Sequence, residues 1–281
     1  MNAIDRLLQG SIDIHAHYDP DPFAARKVDA LQGAQMARAA GMRAIVLKNH
    51  QYGTAPLAAI VSEAVPDIAV FGSICLNVEA GGLNPDIVET AAKLEAKVVW
   101  MPTKSSNYDY MHNKFRTGGI SIIDDKGKLL PSVERILDIA KKYGMVVATG
   151  HLPVNEAFVL VESAVSKGLA KIVATHALGW KVDTYFTVAQ QRRMAEMGAL
   201  VEYCFVTTLP EGGLNPKDMV AAIKAVGVER CILSTDLGQA NNPAPVEGMK
   251  LMIASMLNNG LTEKEVEVMV KENPARLLGL N

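Results

Sequence analysis

Four histidines and one aspartate stand at the ends of apolar runs in this chain: His15, His17, His151, His176 and Asp236. The first pair lies in Ser11-Ile12-Asp13-Ile14-His15-Ala16-His17. On an extended strand, residues i and i+2 share a face, so the two imidazoles converge. His151 closes Val146-Val147-Ala148-Thr149-Gly150-His151, His176 closes Ile172-Val173-Ala174-Thr175-His176, and Asp236 closes Cys231-Ile232-Leu233-Ser234-Thr235-Asp236. Each has a plainer reading alone. An HxH pair can face solvent, a strand-end histidine is more often a hydrogen-bonded structural residue, and Asp236 can cap the segment that follows it. Together they supply imidazole nitrogens and a carboxylate oxygen, which suit Zn²⁺, Mn²⁺ or Fe²⁺ better than Ca²⁺ or Mg²⁺.

A divalent ion held by such groups keeps a position open for water and draws its pKa towards about 7. Asp236 is the expected general base and acid, with His176 polarising a carbonyl if it is not a permanent ligand. Lys48, His50, Asn77, Lys104 and Gln239 are expected substrate contacts, from their positions after apolar runs. For His50 the roles are ligand, oxyanion donor or loop histidine, and the donor role is preferred. Lys48 reads as a substrate-binding or salt-bridged cation rather than a carboxylated lysine. The amides of Gln239-Ala240-Asn241-Asn242 suggest a small polar substrate, although loop solvation would explain them equally well.

These residues need a scaffold that brings distant strand ends together. Apolar, β-branched runs recur at residues 12–14, 44–47, 68–76, 97–101, 145–149, 171–175, 199–204 and 230–234. Continuous rather than alternating hydrophobicity marks parallel strands covered on both faces. Amphipathic stretches at 28–40, 56–65, 85–95, 133–143, 155–167, 188–197 and 216–226 separate them. Glycines at 41, 144 and 198 end helices before the next strand, and Asn84-Pro85 and Asn215-Pro216 open them as N-cap and first helical residue. The expected fold is a single α/β domain over residues 1–281, a (β/α)₈ TIM-type barrel. Such barrels place their chemistry at the C-terminal strand ends, where all five residues fall.

An insertion at about 103–130 follows the fourth run and carries Lys104, Tyr108, His112, Lys114 and Arg116, then a hairpin pattern over 120–130. It reads as a lid or subunit contact. His112 reads as substrate-facing or exposed. At 281 residues and 49% hydrophobic the chain can bury a large core, and its net charge of −2 gives no basic stripe. Nucleic acid and anionic membrane are therefore not expected partners. The first ten residues lack the apolar centre of a signal peptide, no run reaches spanning length, and Cys75, Cys204 and Cys231 lack CxxC spacing. A cytoplasmic protein with buried thiols is the expectation, as a homo-oligomer by general tendency.

The combination resembles the amidohydrolase superfamily of metal-dependent hydrolases, in a small amidohydrolase-like branch. The resemblance covers the whole chain: HxH after strand one, His151 after strand five, His176 after strand six, Asp236 after strand eight, and a closing Asn273-Pro274-Ala275-Arg276-Leu277-Leu278. It implies a distorted barrel, one or two transition ions with zinc first, and hydrolysis of an amide, lactone or ester. One departure concerns the bridging lysine or glutamate of two-metal members at strand four. Here that strand reads Val98-Val99-Trp100-Met101-Pro102-Thr103-Lys104, which leaves the metal count open. A decarboxylase on the same fold, a phosphoesterase that begins with HxH, and a metal-binding barrel without catalysis are the alternatives.

Overall fold

The computed structural model describes residues 2–113, 119–179 and 185–280. Its strands are β1 (Ile12–His17), β2 (Ala44–Lys48), β3 (Ala69–Phe71), β4 (Ser73–Cys75), β5 (Val98–Trp100), β6 (Val146–Ala148), β7 (Ile172–Ala174), β8 (Leu200–Cys204) and β9 (Cys231–Ser234). Each pairs in parallel with its neighbour, in the orders β1-β2-β3 and β4-β5-β6-β7-β8-β9. β3 and β4 form one barrel strand broken at Gly72. A Cβ there would lie 2.4 Å from the Cα of Ala55, at the start of the helix Ala55–Ala64. The third apolar run is thus continuous in composition but interrupted where a helix start crosses it.

The ring closes between β1 and the segment after β9. The Asp236 N–H donates to the His15 carbonyl at 2.7 Å, and the His17 N–H donates to the Leu237 carbonyl at 2.7 Å. Ala16 and Leu237 form a parallel bridge. Gly238 then passes so close that a Cβ would stand 2.1 Å from the His17 carbonyl oxygen. The architecture is a (β/α)₈ barrel.

Alternate residues of each strand enter two different cores. In β2, Ile45 and Leu47 pack outward against the helices, while Ala44 and Val46 pack inward with Ile12, Val98, Val146 and Ile232. Both faces are buried, which explains why the strands read as unbroken apolar runs. Ala275, Leu277 and Leu278 of the closing helix Asn273–Leu278 join the inner core. Asn273 ties that helix to the barrel by donating to the carbonyls of Val228 and Cys231.

β1 departs from simple alternation. Asp13 pairs with Ile45 but Ala16 with Leu47, so three steps along β1 match two along β2. This is a one-residue bulge, a device that re-aims side chains. Ile12 and Ile14 belong to the inner core, and without the bulge His15 and His17 would face outward. The extra residue turns them inward as well. The Asp13 carboxylate pins the bulge by accepting the His15 N–H at 3.1 Å and, across the seam, the Thr235 N–H at 3.1 Å and hydroxyl at 2.5 Å.

The insertion is tied down at several points. It contains the helix Asn107–Asn113, a bridge between Ser106 and Ile120, and an antiparallel bridge between Ile123 and Leu129 where a hairpin is expected. Glu156, on the helix Val154–Ser166, accepts from the Ser121 hydroxyl at 3.0 Å and the Ile122 N–H at 2.8 Å. Lys114 and Arg116 lie outside the described residues. The helix Pro245–Asn258 was not anticipated, because it follows the last expected strand. No helix among the described residues is long and apolar enough to cross a membrane.

Asp13→Ala removes three accepted hydrogen bonds from a buried seam and is expected to cost about 2–4 kcal/mol of unfolding free energy. Urea denaturation of this variant beside the exposed Asp125→Ala checks it. Equal stability of the two would show that the bulge does not depend on Asp13.

Candidate metal centre

Asp236 is the hub of the site. Nε2 of His15 lies 2.9 Å and Nε2 of His17 3.1 Å from its Oδ1, while Nε2 of His176 lies 3.2 Å from its Oδ2. Burial alone would raise the Asp236 carboxyl, but His15 and His176 and the hydrogen bonds from His15 and His17 outweigh it, holding the group well below the usual range. His176 and Asp236 both sit in the left-handed backbone region, at φ 49° and 51°. Strain of this kind costs on the order of 1–3 kcal/mol per residue and clusters at functional sites. Its purpose at His176 is visible. Ile172 and Ala174 of β7 pack outward, so continued alternation would send His176 outward too, and the left-handed turn brings it back over the barrel mouth.

Beneath the hub lies a buried polar floor. Nδ1 of His15 is 3.1 Å from Oε1 of Glu202, on β8, which also accepts the Ser234 hydroxyl at 2.6 Å. Burial pushes Glu202 up, but His15, His176 and the Ser234 hydroxyl more than compensate and hold it at about 2. An ionised carboxylate only accepts, so Nδ1 of His15 carries a hydrogen, which leaves Nε2 as a lone pair in the neutral ring and as a donor to Asp236 in the protonated ring. Nε2 lies 2.7 Å from Lys48 Nζ and 2.9 Å from Oδ1 of Asp236. A positive charge at this point, as a proton on His15 or as a bound metal ion, satisfies both Nε2 and Oδ1.

The remaining donors agree with that demand. Nδ1 of His17 is buried without a hydrogen-bond partner. Among the described residues, two sets of ligand atoms lie within 4.8 Å of one another: His15, His17 and Asp236, and His15, His176, Glu202 and Cys204. The residues present therefore fit a divalent transition ion, with His15 common to both sets. Cys75, Cys204 and Cys231 are all free and buried, and burial raises the Cys204 thiol well above its usual range.

A cavity of about 520 Å³ opens over the hub, and His17, Lys48, His50, His151, His176 and Asp236 line it. Lys104 and Gln239 line it too, the latter with its amide nitrogen on the Asp236 carbonyl at 3.0 Å. His151 is set apart from both ligand sets. Its Nδ1 bonds Asp109 of the insertion helix at 3.1 Å and its ring lies 4.9 Å from that of His176. Asn77 is brought near but does not reach the cavity. It is fully buried behind His50, with its amide bonded to Thr103, Ser105 and the His50 carbonyl. His112 stands on the exposed insertion helix, stacked on Tyr108 and bonded through Nδ1 to the Tyr108 carbonyl.

Lys48, at the end of β2, extends over Trp100 of β5. Its Nζ lies 4.5 Å from the centre of the Trp100 ring, which in turn packs 4.6 Å from His15. Sequence reasoning missed Glu202, Asp13, Thr103 and Asp109. Glu202 and Asp13 carried a usable signal, a charge in the middle of an otherwise apolar strand. Thr103 and Asp109 carried none.

A model of a family of unknown function, DUF6282, matches residues 10–202. The chain belongs to that family. No curated protein matches it by sequence. Among solved structures it is similar to an amidohydrolase from Pseudomonas aeruginosa, at 13% identity and a TM-score of 0.66, over 98% of both chains. It is similar also to the probable dipeptidase PvdM from Pseudomonas aeruginosa, at 11% identity and 0.70, over 98% of this chain and 96% of that one. A third is 2,6-dihydroxybenzoate decarboxylase from Rhizobium, at 13% and 0.62, over 97% and 99%. Likeness at this level establishes the amidohydrolase-type barrel fold.

Burial lowers His17 and His50 well below the ordinary histidine value. In the unfolded chain they titrate near 6.5, so on acidification the unfolded state takes up protons that the fold refuses. Each histidine should subtract up to about 1.4 kcal/mol of stability per pH unit below that value. Asp13, raised by burial to about 6, works in the opposite direction, but equally in any His50 variant. Urea unfolding from pH 7.5 to 5.5, with chelator present, should show a shallower slope for His50→Gln. Parallel slopes would mean that His50 is not held neutral.

Proposed function

We propose that this protein is a metal-dependent hydrolase that cleaves an amide, lactone or ester bond in a small polar substrate. The observation that carries the reading is the convergence of three imidazole Nε2 atoms on the two oxygens of Asp236, at 2.9–3.2 Å, under an open cavity. His15, His17, His176 and Asp236 would hold the ion, with His151, on the cavity wall beside His176, as a further ligand. Zinc suits this donor set best, with manganese and iron next. When bound, such an ion supplies Lewis acidity that polarises a substrate oxygen and acidifies water.

The chain's own groups supply the rest. Asp236, held ionised, takes a proton from the attacking water and returns it to the leaving group. Glu202 fixes the His15 tautomer, and Asp109 orients His151. Lys48, His50, Lys104 and Gln239 face the substrate. Lys104 and Ser105, at the start of the insertion, line the cavity, which supports a lid role for the insertion. The solved relatives described as an amidohydrolase and a probable dipeptidase support hydrolysis.

Decarboxylation is the second reading, because buried Lys48 beside His15 offers a seat for a carboxylate and one solved relative is a decarboxylase. A panel of N-acyl amino acids, lactones and aromatic carboxylates separates the two by product.

Elemental mass spectrometry should find about one or two transition ions per chain, retained in Lys104→Ala and lost in His15→Ala/His17→Ala and in Asp236→Ala. Glu202→Gln should weaken metal affinity about 10–100-fold. Absence of metal after reconstitution with Zn²⁺ and Mn²⁺ would sink the hydrolase reading.

A further inference from the structure

His50, Thr103 and Asn77 form a hydrogen-bond relay whose donor order can be worked out atom by atom. The backbone N–H groups of Thr103 and Ser105 donate to one side-chain atom of Asn77, at 2.9 and 3.0 Å, which identifies that atom as the carbonyl Oδ1. The amide Nδ2 therefore donates to the His50 carbonyl at 2.8 Å and to Thr103 Oγ1 at 2.7 Å. The Thr103 hydroxyl is fully buried and has one hydrogen of its own to place. Its other partner is Nδ1 of His50, at 2.7 Å. A buried hydroxyl that already accepts from Asn77 is best satisfied by donating there.

Nδ1 of His50 then accepts, and a neutral imidazole with an accepting Nδ1 carries its hydrogen on Nε2. The ring lines the cavity, stacked 4.8 Å from the ring of His17 and two residues beyond Lys48 at the end of β2. We infer that His50 is held as its Nε2–H tautomer and donates that hydrogen to a substrate oxygen, so that the site selects substrates with a carbonyl or carboxylate oxygen beside the metal. Thr103 and Asn77 are its positioning residues. A pre-set donor of this kind costs no reorganisation when negative charge develops on the oxygen. The substrate half of this inference rests on the hydrolase reading, whereas the tautomer does not.

The test has two independent readouts. Long-range ¹H–¹⁵N NMR of the purified protein should show His50 protonated at Nε2 and unprotonated at Nδ1. Thr103→Val should admit the Nδ1–H form, and Thr103→Ser, which keeps the hydroxyl, should restore the original state. Inorganic phosphate, titrated into the zinc-loaded protein by calorimetry, serves as the oxyanion probe. His50→Phe, which keeps a ring against His17, should weaken phosphate binding about tenfold or more with zinc content and melting temperature retained. A His50 protonated at Nδ1, or a tautomer and phosphate affinity unmoved by Thr103→Val, overturns the inference. Failure of the unaltered protein to take up zinc would instead count against the hydrolase reading and leave the NMR result to decide the tautomer.

Discussion

One extra residue in β1 governs how this molecule presents its chemistry. A regular strand that sends Ile12 and Ile14 into the barrel must send His15 and His17 outward, into contact with helices. The bulge between Asp13 and Ala16 resets that phase, so one strand delivers apolar side chains to the interior and then imidazoles to its mouth. A bulge leaves backbone groups without ladder partners, and here the Asp13 carboxylate takes up the His15 N–H. The same carboxylate binds Thr235 across the seam, one residue before the hub carboxylate. Closing the barrel and assembling the site are therefore one event. Gly238 belongs to it as well, since only a residue without Cβ can pass the His17 carbonyl at that point.

The site collects several features that a stable fold would otherwise avoid. Two non-glycine residues lie in the left-handed region, the carboxylates of Asp13, Asp109, Glu202 and Asp236 and one lysine are buried, and three imidazoles crowd one carboxylate. Each costs stability on its own. What offsets them is the large double core, with helices outside the barrel and a closing helix beneath it. The costs are concentrated at the C-terminal end of the strands, where backbone turns are free to deviate. Such a distribution is expected when geometry at the mouth is kept for chemistry rather than for packing.

Much of the fold was legible because burial on both faces writes itself directly into composition. All eight apolar runs became barrel strands, and Asn84 and Asn215 cap their helices as expected, accepting from Asp86 and Lys217. The hub residues were legible because titratable side chains at strand ends are conspicuous against apolar runs. The reason they converge was not. Two-residue alternation places His15 and His17 on a common face but does not say which face the pair takes. A bulge has no composition signature, and neither does the left-handed turn at His176. Asn77 shows the same limit from the other side: its position after a strand was read well, but only the three-dimensional network shows that Thr103 and Ser105 consume its amide.

The buried carboxylates sharpen what a carboxylate on a strand can mean. Asp13, Glu202 and Asp236 differ in depth and in partner, and these differences separate their roles. Asp13 bonds only neutral backbone and hydroxyl donors, and burial carries it up to about 6. Glu202 bonds an imidazole from below and is held ionised, so it can only order that ring and favour positive charge above it. Asp236 alone is ionised, surrounded by imidazoles and open to the cavity. Asp13 and Glu202 do not line the cavity, and a carboxylate sealed from it cannot exchange a proton with a substrate there. The acid–base role proposed for Asp236 rests on this opening to the cavity, which its two buried neighbours lack.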